Sequence, residues 1–396
     1  MVSDRVNRIG VSATMLIAAE AKKLKADGVD VINLSMGEPD FPTPHNIKEA
    51  GKTGIDENHT RYTINAGTIE LRTAIAAKLK RDNNLDYKLN EIIVSNGAKQ
   101  SVYNAVMATV NPGDEVIIPA PYWVSYPSMV SLAQGEAVVI QTEEENSFKI
   151  TPRQLREAIT PKTKALILCN PSNPTGSAYS KEELLAISEI AEKEKFYIIS
   201  DEIYEKIVYD DFEFFSFVTI APQLRDRIIL VNGISKAYSM TGWRIGYAAA
   251  NEQVIGGMNK IQSHSTSNAS SVSQVAAVEA LTGPQFVIKE MLDEFKLRRE
   301  FLYNELLSNE GITCYKPEGA FYLFPNISSY LHKHKKVLQV ENSFDFAMHL
   351  LYEAHIAVVP GSAFGAEGHL RISYATHMEH LKEASLRLKK ALAKLR

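Results

Sequence analysis

The chain has 396 residues, of which 45% are hydrophobic and 23% charged, a composition that excludes a disordered or fibrous protein and leaves room for two domains. Its 43 Lys and Arg residues against 47 Asp and Glu residues give a net charge of −4, so no global basic field would attract nucleic acid. The apolar stretches are too short for a membrane helix and the start lacks the apolar core of a signal peptide, so we expect a cytoplasmic protein with no membrane or nucleic-acid partner.

Five short apolar runs alternate with helical patterns along the first two thirds of the chain. Each is Val- and Ile-rich and typical of strands buried on both faces; they lie at 91–95, 115–119, 164–169, 196–200 and 227–232. Such alternation predicts an α/β domain with a largely parallel sheet. We place this large domain at 45–285. A smaller α+β domain is expected to combine 1–44, including a mobile N-terminal segment, with 286–396, and an amphipathic helix is expected over about 285–308.

The segments that follow these strands are rich in polar and aromatic groups. They contain four amides, two acids, several aromatic residues and two lysines, at 96–101, 120–123, 170–176, 201–204 and 233–236. The carboxyl ends of parallel strands open into one crevice. We therefore expect these segments to form a ligand site together.

The two cysteines, Cys169 and Cys314, are far apart and lack the paired spacings of a zinc or redox site. We expect both to be packing residues. The sequence gives no reason to expect a metal.

Lys236 directly follows a buried run, where burial would lower the pKa of its amine and make it nucleophilic. A lone lysine is a weak signal, because most lysines lie on the surface. Here Ser235 and Arg244 lie close by in sequence, and a hydroxyl and a guanidinium both suit a phosphate. The segment therefore indicates an amine beside a phosphate site.

Two other strand ends add to this site. Gly97 leads into a helix that begins near Ala98, and a helix N-terminus can bind phosphate, although the glycine could simply relieve backbone strain. Asp201 could cap a following helix, or it could hold a protonated heterocyclic nitrogen. A nucleophilic amine, a phosphate cradle and such an acid together fit pyridoxal phosphate, whose ring acts as an electron sink when protonated.

Five motifs in order give the chain a family resemblance. They are Ser-Ala-Thr at 12–14, Gly-Glu-Pro-Asp-Phe at 37–41, Tyr-Trp-Val-Ser-Tyr at 122–126, Asn-Pro-Thr-Gly at 173–176 and Gly-His-Leu-Arg-Ile-Ser-Tyr at 368–374. Over essentially its full length the chain resembles a class I aminotransferase of the fold-type I pyridoxal-phosphate superfamily, and most of all the aspartate aminotransferases of bacterial subgroup Ib. The resemblance implies a mostly parallel seven-stranded sheet sandwiched by helices in the large domain.

The resemblance also implies the cofactor contacts. Lys236 would be the Schiff-base lysine, Asp201 the partner of the pyridine nitrogen, and Tyr204 a partner of the ring oxygen. The other implied contacts are Asn173 at the ring oxygen, Gly97, Ala98, Ser235 and Arg244 at the phosphate, and Lys99 and Trp123 beside the cofactor. Tyr62 matches a tyrosine that reaches the cofactor phosphate of the neighbouring subunit, which implies a homodimer with shared active sites.

Arg371 matches the arginine that binds the substrate α-carboxylate. The alternation in 369–374 supports this, because a strand would point Leu370 and Ile372 one way and Arg371 the other. A surface arginine on an edge strand is the alternative. By the same resemblance, Gly37, Trp123 and Asn173 contact the amino-acid substrate.

Lys99 matches a lysine that helps to hold the distal carboxylate of aspartate, and Ser12 and Thr14 match hydroxyl groups that close over it. An ordinary lysine in the first turn of a helix is the alternative, although a cation there opposes the helix dipole. Members of the subgroup that transaminate prephenate tend to have a basic residue where this chain has Gly10, and this departure makes prephenate use less expected.

The resemblance therefore implies a ping-pong reaction in which aspartate and 2-oxoglutarate give oxaloacetate and glutamate, with Lys236 as covalent anchor and general base. The alternatives are a prephenate, aromatic or other amino-acid aminotransferase of the same subgroup, or a fold-type I lyase. A cofactor-binding module of a transcription regulator is disfavoured, because no helix-turn-helix region is evident.

Overall fold

The computed structural model describes residues 2–10, 13–331, 333–335 and 338–395. The helices are α1 Asp4–Asn7, α2 Ala13–Ala26, α3 His45–Asp56, α4 Ile69–Asn83, α5 Ala98–Thr109, α6 Tyr126–Leu132, α7 Pro152–Ala158, α8 Lys181–Lys193, α9 Phe217–Ile220, α10 Glu252–Ser263, α11 Ser271–Thr282, α12 Phe286–Leu307, α13 Ser343–Glu353 and α14 Met378–Leu395. The strands are β1 Ile32–Asn33, β2 Ile92–Ser95, β3 Glu115–Ala120, β4 Glu136–Gln141, β5 Thr163–Cys169, β6 Tyr197–Asp201, β7 Ile228–Gly233, β8 Gly246–Ala249, β9 Tyr322–Leu323, β10 Lys333–Lys335, β11 Leu338–Val340, β12 Ile356–Ala357, β13 Val359–Pro360 and β14 Leu370–Ser373.

Seven strands form the main sheet, in the order β2-β8-β7-β6-β5-β3-β4. Every neighbouring pair is parallel except those of β8, which runs antiparallel to both β2 and β7. Alternate residues of one strand enter different cores: Ile198 packs into one hydrophobic cluster and Ile199 into another. Both faces of the sheet are thus covered, which is why its central strands are continuous apolar runs. The predicted α/β fold with a mostly parallel seven-stranded sheet is confirmed.

A third hydrophobic cluster unites the N-terminal segment with the C-terminal part of the chain. There β1 pairs with β12, and β14 lies between β13 and β9 in a three-stranded sheet. The amphipathic helix expected over about 285–308 is α12, Phe286–Leu307. This cluster is consistent with the proposed small domain, and boundaries at residues 45 and 285 stay a prediction. None of the described helices is long and apolar enough to cross a membrane.

The carboxyl ends of three central strands are adjacent. Asp201, the last residue of β6, pairs with Cys169 at the end of β5 and with Val231 in β7. Asp201 is followed by a turn and not by a helix, so the interpretation as a helix cap is wrong. At β2, a turn through Gly97, with φ of 85°, leads directly into α5.

Candidate active site

A cavity of about 920 Å³ lies at these strand ends. It is bordered by most of the residues that the sequence singled out: Thr14, Gly37, Ala98, Lys99, Trp123, Asn173, Asp201, Tyr204, Ser235, Lys236, Arg244 and Arg371. Gly97 lies behind the wall, where a Cβ atom would collide with the Arg244 guanidinium. Tyr62 is 94% exposed and does not line this cavity, and Ser12 lies outside the described residues.

Lys236 presents its amine to the cavity, where Nζ donates a hydrogen bond to the Gly37 carbonyl. Burial and the nearby Arg371 charge lower the pKa of Lys236 to about 8, although Glu38 opposes the shift. With that pKa, roughly a quarter of the amine is neutral at pH 7.5, against about 0.1% for an ordinary lysine. The site therefore holds an amine that is available as a nucleophile or base near neutral pH.

Asp201 is 4% exposed and accepts a hydrogen bond of 2.6 Å at Oδ2 from the Tyr126 hydroxyl. Burial raises the pKa of Asp201 to about 6, and the Tyr126 hydrogen bond and the Ile203 N–H counteract that rise. An ionised carboxylate in this position is suited to a protonated ring nitrogen.

The start of α5 combines three features that suit a phosphate. Its first residue, Ala98, lines the cavity together with Ser235 and Arg244, and the backbone approaches closely here, since a Cβ atom on Gly246 would overlap the backbone of residues 97 and 98. The Arg244 guanidinium donates only to the Asn96 and Thr241 carbonyls, at 3.2 and 2.9 Å, among the described residues. Its positive charge is therefore available to an anion.

Arg371 is 4% exposed, in the middle strand of the small sheet, so the interpretation as a surface arginine on an edge strand is wrong. Its Nη1 donates to Asn173 Oδ1 at 3.0 Å and its Nη2 to the Ser35 carbonyl at 2.6 Å. Nε is buried without a partner, and no carboxylate within the described ranges pairs with this cation. A buried guanidinium with unused donors at a cavity suits a carboxylate ligand.

A second cation borders the same cavity. Lys99 Nζ lies 4.9 Å from the centre of the Trp123 ring. Desolvation and the Arg244 charge both lower the pKa of Lys99, so this corner is rich in positive charge that no described acid neutralises. Thr14 adds a hydroxyl oxygen that is buried without a partner.

Two tyrosines at the site were not predicted from the sequence to have a functional role. Tyr126 holds Asp201, and the Tyr322 hydroxyl lies 2.9 Å from that of Tyr204. Tyr126 belongs to the motif at 122–126, but a tyrosine in a motif carries no sign of which distant group it contacts, and Tyr322 lies in none of the motifs named above. The structure also places Cys169 next to Tyr126 and Asp201, with a pKa raised by burial, in line with an unreactive thiol. No cluster of metal-binding side chains occurs among the residues described.

The sequence and the fold were compared with those of known proteins. The family model for aminotransferase class I and II matches residues 29–388. A probable aspartate/prephenate aminotransferase of Rickettsia bellii is 51% identical over 100% of both chains. The crystal structure of the aspartate aminotransferase of Rhizobium meliloti superimposes with a TM-score of 0.96 at 44% identity, over 99% of each chain. That of the Thermus thermophilus enzyme with maleate gives 0.93 at 40% identity, again over 99% of each. The chain therefore belongs to the class I and II aminotransferase family, and it is a pyridoxal-phosphate-dependent aminotransferase.

Proposed function

We propose that the chain transfers the amino group of aspartate to 2-oxoglutarate, giving oxaloacetate and glutamate. The observation that carries this proposal is the presence of two unneutralised cations, Arg371 and Lys99, on one cavity. A dicarboxylate needs a cation at each end, whereas an aromatic side chain needs apolar walls. The relatives named aspartate aminotransferase, one of them solved with the dicarboxylate maleate, support the same substrate class.

The residues of the cavity fit pyridoxal phosphate. We assign Asp201 to the ring nitrogen, Asn173 and Tyr204 to the ring oxygen, and the start of α5 with Ser235 and Arg244 to the phosphate. The Arg244 charge has no acid partner in the described structure, and this is expected of a residue reserved for an anion. When bound, the cofactor supplies an electron sink for negative charge at the substrate α-carbon.

The chain's own residues then act on the substrate. Arg371 binds the α-carboxylate and Lys99 the distal one, which fixes the α-carbon in the cavity. Lys236 Nζ, partly neutral at physiological pH, takes a proton from the α-carbon of the amino donor, and in the other half-reaction it gives a proton to the α-carbon derived from the oxo acid. Asp201 keeps its negative charge because Tyr126 donates to it, so it would hold the protonated ring nitrogen of the cofactor.

A single-turnover experiment tests the substrate. With aspartate and no oxo acid present, we expect the visible absorption of the bound cofactor to fall and one equivalent of oxaloacetate to appear per subunit. If aromatic amino acids change the absorption and acidic amino acids do not, aspartate is not the substrate. Pyruvate and ammonia as products would indicate a lyase.

Prephenate as amino acceptor is the second candidate, because the Rickettsia bellii relative bears both substrates in its name. Gly10, which borders the cavity, offers no basic side chain to a second carboxylate at this point. Prephenate added after the aspartate half-reaction would restore the visible absorption if it is an acceptor.

We also propose a homodimer. Tyr62 is 94% exposed in a monomer, and apolar neighbours beside it are also exposed, with Ile64 and Ile69 each at 52%. Such a surface is expected to be covered, and the family resemblance gives Tyr62 a role at the partner's cofactor phosphate. A mass of one chain in sedimentation equilibrium would contradict the dimer. A cytoplasmic location stays a prediction from the sequence.

The substitution Lys99→Ala should weaken the binding of aspartate much more than the binding of a neutral donor. A hydrogen bond to a charged group contributes about 1.5–3 kcal/mol, so KM for aspartate should rise roughly 10- to 150-fold, while that for alanine should stay nearly constant. Steady-state kinetics with both donors measure this, with the exposed Lys52→Ala as control. Equal losses for the two donors would remove Lys99 from the specificity site.

The substitution Tyr126→Phe should raise the pKa of Asp201 above its value of about 6, because a hydrogen bond that favours the ionised form is lost. A shift of about one unit is expected from a bond to a charged group. The carboxyl would then be largely neutral at pH 6.5 and ionised at pH 8. Affinity of the apoenzyme for pyridoxal phosphate should therefore fall more at pH 6.5 than at pH 8.

The matched control for that experiment is Tyr179→Phe. Tyr179 is equally buried, and its hydroxyl accepts a hydrogen bond from the Ile150 N–H, outside the cavity. We expect this variant to lose stability without any pH-dependent change in cofactor affinity. The same loss of affinity at both pH values in Tyr126→Phe would show that Tyr126 only packs.

A further inference from the structure

Tyr322 contacts two residues with different proposed roles, one at the cofactor and one at the substrate. It lies in β9, and its side chain is completely buried. Its hydroxyl oxygen is 2.9 Å from that of Tyr204, and the Arg371 guanidinium sits 4.6 Å from the centre of its ring. One side chain therefore contacts both the proposed partner of the cofactor ring oxygen and the proposed carboxylate receptor.

We propose that Tyr322 is a positioning residue with two separable parts: its hydroxyl donates to Tyr204, and its ring face holds Arg371 in place for the substrate. This inference rests on the proposed function, in particular on the roles given to Tyr204 and Arg371. It adds a residue whose effect reaches the cofactor and the substrate through those two neighbours.

The direction of the hydrogen bond follows from the role proposed for Tyr204, because both tyrosines are buried and both border the cavity. Gly37 packs against the hydroxyl so closely that a Cβ atom there would lie 2.8 Å from the oxygen. Tyr204 is the hydrogen-bonding partner that the described structure gives this hydroxyl. If the Tyr204 proton is directed to the ring oxygen, as its proposed role requires, the Tyr204 oxygen is free to accept from Tyr322, whose proton would otherwise be buried without an acceptor. The Tyr204 proton is then left for an acceptor in the cavity that Tyr204 borders.

Both phenols stay protonated near neutral pH, so the donation can persist. Burial raises the pKa of Tyr204 well above its usual value, and it also raises that of Tyr322. The charged and titratable groups that face Tyr204 are Arg371, which opposes the rise, Cys169, and Lys236, whose Nζ is 6.0 Å from the ring centre.

The ring of Tyr322 also restrains the guanidinium. The Arg371 guanidinium carbon lies over the rings of both Tyr322 and Phe364, at 4.6 and 5.1 Å from their centres. A guanidinium over two aromatic rings is attracted to both and loses little hydrogen-bonding capacity, because its donors lie in its own plane. The unpartnered Nε therefore stays available at the cavity.

Two substitutions separate the two parts. Tyr322→Phe keeps the ring and removes the hydroxyl, whereas Tyr322→Leu removes both. The first readout is the pH midpoint of the absorption change of the bound cofactor. The second is the dissociation constant of maleate, a non-reactive dicarboxylate, measured on the holoenzyme.

For Tyr322→Phe we expect the absorption midpoint to rise by about 0.5 pH unit, because Tyr204 then donates a weaker hydrogen bond to the ring oxygen. Maleate affinity should stay within about twofold. For Tyr322→Leu we expect the same rise in midpoint and a further loss of maleate affinity of roughly 3- to 10-fold, the size of a lost cation–π contact.

A double-mutant cycle with Tyr204→Phe decides whether the hydroxyl acts through Tyr204. In the Tyr204→Phe background, Tyr322→Phe should no longer move the midpoint. An unchanged midpoint in the single variant, or an equal shift in both backgrounds, would overturn the inference about the hydroxyl. Unchanged maleate affinity in Tyr322→Leu would overturn the part about the ring.

The wild-type protein distinguishes this inference from the function on which it rests. If its absorption does not respond to aspartate, the proposed substrate fails whatever the Tyr322 variants do. If it responds normally while both variants match the wild type, the proposed function stands and only the role of Tyr322 is lost.

Discussion

Lys236→Ala should abolish transamination while leaving the fold and the cofactor cavity intact. The substitution removes the residue that we propose as both the covalent anchor and the base that moves the α-proton. A positioned general base contributes about 10²–10⁴-fold, and with the anchor also lost we expect turnover to fall by at least about 10⁴-fold. The measurement is steady-state transamination of aspartate, with cofactor binding followed separately by equilibrium dialysis.

The stability of the apoenzyme gives an independent check of this lysine. In the fold the pKa of Lys236 is about 8, below its ordinary value of 10.5, so its charged form destabilises the folded state. That penalty is complete below pH 8 and disappears as pH rises from 8 towards 10.5. The alanine variant should therefore be at least as stable as the wild type at pH 7, and its relative advantage should shrink by pH 10.

Thermal unfolding of the two apoproteins at both pH values measures this, with Lys52→Ala as a matched surface control. Near-normal turnover in Lys236→Ala would contradict the proposed role of Lys236 in the reaction. A variant that is less stable at pH 7 than at pH 10, relative to wild type, would show that the amine is not buried as described.

The central strands could be predicted from the sequence because burial on both faces leaves continuous apolar runs. Strand β6 is an example, with every residue but the first buried. Strand β4 lies at the sheet edge and is largely exposed, and β8 is made of Gly, Tyr and two Ala residues; neither leaves such a run, and neither was predicted. Their positions are fixed by tertiary pairing and not by local composition.

The candidate site divides in a similar way. Asp201 ends β6 and Lys236 lies just beyond the end of β7, so topology alone brought them to one crevice. The roles of Tyr126 and Tyr322 could not be predicted in this way, because their hydrogen-bonding partners are distant in sequence. Tyr126 is 75 residues from Asp201, and Tyr322 is 118 residues from Tyr204. The burial of Arg371 was likewise out of reach, since alternation along a strand shows which way a side chain points and not what covers it.

Arg371→Leu should reduce kcat/KM for every amino donor, acidic or neutral, because every α-amino acid has the carboxylate that this residue is proposed to bind. Two charge-assisted hydrogen bonds contribute about 3–6 kcal/mol together, which corresponds to a loss of roughly 10²–10⁴-fold. Arg371→Lys is the matched variant, because it keeps the charge but loses the planar fork. It should recover only a small part of the lost activity.

The range of amino donors affected distinguishes the role of Arg371 from that of Lys99. Alanine and aspartate should lose similar factors when Arg371 is removed, whereas removal of Lys99 should spare alanine. A structural role for Arg371 predicts another outcome, because an arginine that mainly stabilises the fold would lower the unfolding temperature when replaced. Arg371 is a buried cation with no acid partner in the described structure, so its removal should cost little stability. A large fall in unfolding temperature together with losses confined to dicarboxylic donors would therefore contradict the assignment of the α-carboxylate to Arg371.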